Sequence, residues 1–241
     1  MIKKRFAFSL HLLVVIFFMS QISCQRKNYP SKSADAFLEV DLNTYLKQAY
    51  AYAKAKQLDS AILIYDKILE INPNLIPAKS NKATALAEQK KYRQASKLYK
   101  EIIAADPNYY FSHLNLANIY SRQKKHNKAI ESLRMAEKLD PHRHYTYSLW
   151  ADVLLNLKQY DLAQEKANQA YAIKDDDAEI LDTMGAIASR QGRHEEAKNY
   201  FIEAFSLEPQ SKEVMGTWKE TLKSLPKALR KEYVKAIEES K

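Results

Sequence analysis

Few side chains in this sequence could do chemistry. The only thiol is Cys24, which has no second cysteine to pair with, so no disulfide framework exists. The histidines are His11, His113, His126, His142, His144 and His194. His142 and His144 flank Arg143 at a spacing that could begin a metal site, but neither a cysteine nor a repeated acid pair nearby completes one, and a solvated turn is the simpler reading. Gly185, Gly192 and Gly216 form no phosphate loop, and neither a Gly-x-Ser-x-Gly elbow nor a His-Glu-x-x-His helix is present. The acids Glu195-Glu196 and Asp175-Asp176-Asp177 fall at turns and helix starts, where they complement the helix dipole. With no nucleophile beside a base, the residues point away from an enzyme and call for no cofactor and no metal.

The elements that would carry these residues begin with a leader. Lys3, Lys4 and Arg5 precede a 14-residue run, Phe6 to Met19, broken only by Ser9 and His11. A helix of that length rises about 21 Å, short of the roughly 30 Å hydrocarbon core, so residues 1–24 read as a secretory signal and not a permanent span. Residues 25–41 are polar with one proline and read as a tether. Beyond the leader the chain is mildly basic within a total formal charge of +9; a solvated surface explains this, and no nucleic-acid partner is expected. Hydrophobic residues make up 46% of the 241, enough for a packed core, while only 3 are glycine, which argues against tight-turned β folds.

Ser20-Gln21-Ile22-Ser23 leads directly into Cys24. A cysteine after an apolar run and a small residue resembles the bacterial lipobox, with Ile22 and Ser23 fitting and Gln21 departing from the apolar residue usual there. The resemblance implies a diacylglycerol on Cys24, cleavage before it and a lipid-anchored envelope protein. Gln25 in place of aspartate leans toward the outer membrane, facing the periplasm. The other reading is an incidental cysteine beside an ordinary signal or an uncleaved anchor.

The rest of the chain is periodic. Pro73, Pro107 and Pro141 are 34 residues apart, Pro209 follows 68 later, and Asp175 stands in the missing place. Five units follow: 42–75, 76–109, 110–143, 144–177 and 178–211. Position 8 holds Ala49, Ala83, Ala117, Ala151 and Gly185; position 20 holds Ala61, Ala95, Ala129, Ala163 and Ala197. Small residues there let two antiparallel helices cross closely, and larger ones at positions 11 and 24 fill the space beside the crossing. The fourth unit departs most, with Ala167 at position 24. One hairpin cannot bury its apolar face alone, so neighbours must stack.

This pattern resembles the tetratricopeptide repeat (TPR) family, most specifically at Asn115-Leu116-Ala117 with Tyr120. The resemblance implies an all-α fold, a right-handed α-solenoid of about five hairpins, with residues 212–241 as C-terminal capping helices broken at Pro226. It further implies a concave groove lined by positions 2, 5, 9 and 12 of the first helices. The candidates are Asn43, Tyr50, Thr84, Phe111, Asn118, Tyr145, Asp152, Glu179 and Asp182, which make the groove aromatic in the middle and acidic at its far end. No unit carries lysine at position 5, so a carboxylate clamp is not expected. The expected role is a scaffold that holds other envelope proteins or peptides, and the alternative is a periplasmic holdase or adaptor for exported clients. The expected ligand is an extended or helical segment with apolar anchors and some basic charge.

Overall fold

The computed structural model describes residues 31–209, 216, 218–219, 221–223, 225 and 227–239, without the side chains of 31–41, 228 and 236–239. The expected signal over 1–24, with Cys24, and the start of the tether lie outside the described residues. All regular structure among the described residues is helical. The helices are α1 (Ser31–Lys54), α2 (Leu58–Ile71), α3 (Ile76–Glu88), α4 (Tyr92–Ala105), α5 (Tyr110–Arg122), α6 (His126–Leu139), α7 (His144–Asn156), α8 (Tyr160–Ile173), α9 (Ala178–Arg190), α10 (His194–Leu207) and α11 (Lys227–Glu239). None is long and apolar enough to cross a membrane. Helix α1 starts at Ser31, so residues 31–41 of the expected tether are helical. Residues 31–41 hold no glycine or proline, so none of them blocks a helix.

The chain divides into two compact units, the first ending at Ala78 and the second beginning at Lys79. In the first, α1 and α2 pack as a hairpin around Ala49, Ala61, Tyr65, Ile68 and Ala78. Helices of 13 residues alternate with helices of 14 from α3 to α10. The pairs α5–α6, α7–α8 and α9–α10 pack as consecutive hairpins, and α7 also touches both α5 and α9, so the first helices of the hairpins form one layer.

The small residues are where this packing requires them. Ala117, Ala129, Ala151, Ala163 and Ala197 are all completely buried. Gly185 takes the fifth place because Phe201 is its neighbour: a Cβ built on Gly185 would lie 2.9 Å from the ring. In the fourth hairpin Ala167 is buried, and Tyr147 and Trp150 supply bulk to the same core cluster. The departure from the repeat pattern is therefore filled from α7.

Two kinds of turn set the register. Between the helices of each hairpin the chain passes through a left-handed residue: Lys56, Lys90, Lys124 and Lys158 at φ between 58° and 61°, then Gly192 at 78°. Around Lys124, its N–H donates to the Ser121 carbonyl at 2.8 Å and the Lys125 N–H to the Tyr120 carbonyl at 2.8 Å. The same pair of bonds recurs at the other four, which are Schellman motifs closing each first helix. Between hairpins, the side chains of Asn72, Asp106 and Asp140 each accept the backbone N–H two residues on, across the proline. Where that proline is missing, Asp177 caps α9 instead, accepting from the N–H groups of Glu179 at 3.1 Å and Ile180 at 3.3 Å.

The far end of the fifth hairpin is covered by α11 and by Trp218. Tyr233 is fully buried, stacks on Trp218 with ring centroids 5.4 Å apart, and donates its hydroxyl to the His194 carbonyl. Trp218 in turn meets Phe201 and Phe205 edge-on. Lys198 joins the two elements by pairing with Glu195 at 2.6 Å and Glu232 at 2.8 Å.

Candidate functional site

Positions 2, 5, 9 and 12 of a helix advance by three or four residues and so share one face, away from the buried positions 8 and 11. On α5, α7 and α9 this face lines a concave cavity of about 780 Å³. Leu114, Asn118 and Ser121 come from α5; Tyr145, Ser148, Asp152 and Leu155 from α7; Glu179, Asp182 and Ala186 from α9. Five of the nine residues expected in a groove, Asn118, Tyr145, Asp152, Glu179 and Asp182, are therefore brought together.

The other four are not. Thr84 is turned to its own hairpin: its hydroxyl bonds the Tyr99 hydroxyl at 2.7 Å and donates to the Ser80 carbonyl at 3.1 Å, because the buried Tyr99 phenol needs a partner. Phe111 is 45% exposed but does not line the cavity; it packs edge-on against Tyr110, with the Arg143 guanidinium 5.8 Å from its ring centre. Asn43 and Tyr50 are exposed on α1 in the first compact unit, whereas the cavity is built from residues of the second.

The cavity has an apolar wall and charges of both signs. Tyr145 is 52% exposed and Leu114, Leu149 and Leu155 lie along the same surface. The acids are Asp152, Glu179 and Asp182, but Arg122, Lys158 and Arg190 line the cavity too, so it is not the acidic surface expected from the acids alone. Arg122 and Arg190 both stand at position 13 of their hairpins, one residue past the last groove position considered, and Lys158 occupies the left-handed turn. Asp152 also differs from an ordinary surface acid. Burial pushes its carboxyl up to about 7, the hydrogen bond that Thr183 Oγ1 donates at 3.0 Å opposes this, and the Glu179 charge adds to it.

His142 and His144 do not converge on a site. His142 lies in an exposed turn with its backbone N–H on Asp140. The His144 ring meets Tyr145 at 4.2 Å between centroids and faces Asp177 Oδ2 at 3.7 Å. Burial holds the His144 imidazole below its ordinary pKa despite the opposing pull of Asp177. Burial alone would raise Asp177, but Lys174 at 3.0 Å and the Ile180 and Glu179 N–H groups together bring it below the usual range. Among the described residues, no group of three or more His, Cys, Asp or Glu is placed to hold a metal ion.

Comparison with known proteins agrees with this architecture. One tetratricopeptide repeat profile matches residues 52–114 and again 86–151, and a second matches 178–211, together more than half of the chain. No curated protein sequence matches it. Among solved structures, Pseudomonas aeruginosa pilF superposes with a TM-score of 0.68 at 16% identity, covering 84% of this chain and 90% of that one. TTC0263, a thermophilic TPR protein of Thermus thermophilus, gives a TM-score of 0.67 at 19% identity over 75% of this chain and 98% of the other. YrrB, described as a TPR protein with an unusual peptide-binding site, gives 0.53 at 16% identity over 73% and 90%. At these identities the likeness is one of fold. With helical hairpins in a 34-residue register, small residues at each crossing and repeat profiles over both halves of the array, this chain belongs to the tetratricopeptide repeat family.

Proposed function

We propose that this protein is a lipid-anchored scaffold of the bacterial envelope that seats a segment of a partner protein in the cavity on α5, α7 and α9. The observation that carries this reading is the cavity itself, about 780 Å³ and lined in the same register by the first helices of three successive hairpins. A protein-binding role agrees with the fold of the family, and the peptide-binding site ascribed to YrrB is a precedent among its solved members. The wall from Leu114 to Leu155 would take apolar anchors, while the mixed charges select a segment that carries both signs. The anchor rests on Cys24 and the apolar run before it.

Two arms test the reading separately. Labelled fatty acid should enter the wild-type protein and not a Cys24→Ala variant; equal incorporation in both removes the lipid anchor. A Tyr145→Ala/Glu179→Lys variant should lose a small set of stoichiometric partners from an envelope pull-down. Unchanged recovery removes the groove, and recovery of a broad set of unfolded clients favours a holdase over a scaffold.

A further inference from the structure

A second concavity lies on the second-helix side of hairpins two and three. It measures about 630 Å³ and is lined by Arg93, Lys97, Lys100, Lys125 and Lys128, with Glu101 the only acid among its described residues. Arg93, Lys97 and Lys100 follow one another at four and three residues along α4, forming a single stripe that rises about 10 Å. Lys125 and Lys128 face it from the α5–α6 turn and the first turn of α6. All five cations are exposed. Glu101 is shared between Lys79 at 3.6 Å and Lys97 at 4.0 Å, so it offsets only part of the charge.

The other second helices are built differently. Helices α2, α8 and α10 carry acids in their first turns, Asp59, Asp161 and the pair Glu195-Glu196, as the helix dipole favours. Helices α4 and α6 carry none, and place Arg93 and Lys128 there instead. Crowding like charges around two positive helix ends disfavours the free protein, and a bound polyanion would relieve it.

We infer that this outer groove docks an acidic polypeptide segment with apolar side chains, at a site distinct from the concave cavity. Three of the cations follow one another along about 10 Å of α4 and two more stand on the α5–α6 turn and α6, a spread that fits an extended chain of carboxylates better than a single phosphate. The half-buried Tyr120 ring and the Ala104 methyl give the groove an apolar floor that a purely ionic ligand would leave unused.

The test uses the full-length protein in detergent and a fluorescent peptide alternating Glu and Leu, titrated at physiological salt. A Lys97→Glu/Lys128→Glu variant should weaken binding by roughly tenfold or more, because it reverses a charge on each wall. A Lys47→Glu/Lys138→Glu variant, which makes the same change in net charge at exposed sites elsewhere, should weaken it by less than about threefold. Circular dichroism melts check that both variants fold. No binding by the wild type, or equal loss in the two variants, overturns the proposal. So does binding to phosphatidylglycerol vesicles that the Lys97→Glu/Lys128→Glu variant abolishes in the absence of peptide binding.

Discussion

Asp152 on α7 accepts a hydrogen bond from the Thr183 hydroxyl on α9 at 3.0 Å, tying the fourth hairpin to the fifth in the wall of the cavity. Burial raises this carboxyl from 3.8 to about 7. Between those values the folded protein holds a proton on Asp152 that the unfolded chain releases, so the contribution of this group to stability falls as pH rises from about 4 through 7. Replacing Asp152 by Asn keeps an acceptor for Thr183 and removes the titration. The variant should melt higher than the wild type at pH 8 and close to it near pH 4.5, as read by thermal unfolding at a series of pH values. A variant that melts lower at pH 8 would show that the carboxylate is stabilised there and not strained by burial.

Gly185 lies against Phe201 so closely that a methyl group on it would sit 2.9 Å from the ring. Helix propensity favours alanine at an interior position by about 1 kcal/mol, but the ring is fully buried and wedged edge-on against Trp218, and overpacking of this kind costs about 1–3 kcal/mol. The Gly185→Ala variant should therefore be less stable by about 1 kcal/mol in denaturant titration. Adding Phe201→Leu, which opens the contact, should make the Gly185→Ala step neutral or favourable in that background.

Lys124 is held at φ 58°, a conformation that costs an L-residue with a side chain roughly 1 kcal/mol. Glycine in its place keeps both Schellman bonds and lifts that strain, partly offset by the greater freedom of glycine in the unfolded chain. Lys124→Gly should raise the urea midpoint by an amount equivalent to about 0.5 kcal/mol or less, whereas Lys124→Val, branched at Cβ, should lower it.

The fold was legible because it depends on residue size at two positions. Ala61, Ala95, Ala129, Ala163 and Ala197 recur in register, and each is completely buried at a helix crossing. The left-handed turns were not legible, since lysine there gives none of the signal that glycine gives and only Gly192 follows the rule. The cavity was legible in part. A helical template says which face a residue occupies, and Tyr145, Asp152 and Glu179 on that face do line one cavity. It does not say what a neighbouring hairpin demands: Thr84 answers the buried Tyr99 phenol, and Phe111 is held by Tyr110 and Arg143. Nor does it give depth, so the burial of Asp152 and the reach of Arg122 and Arg190 into the cavity needed three-dimensional packing.

Site-specific photo-crosslinking in intact cells asks whether the cavity on α5, α7 and α9 seats a partner. A photoreactive residue at Tyr145, half exposed on the cavity wall, should give a small number of discrete adducts identifiable by mass spectrometry. The same residue at Glu131, exposed on α6 and outside the cavity, should not give those adducts. Identical adducts from both positions, or none from Tyr145 while Glu131 crosslinks, would show that the cavity does not seat a partner.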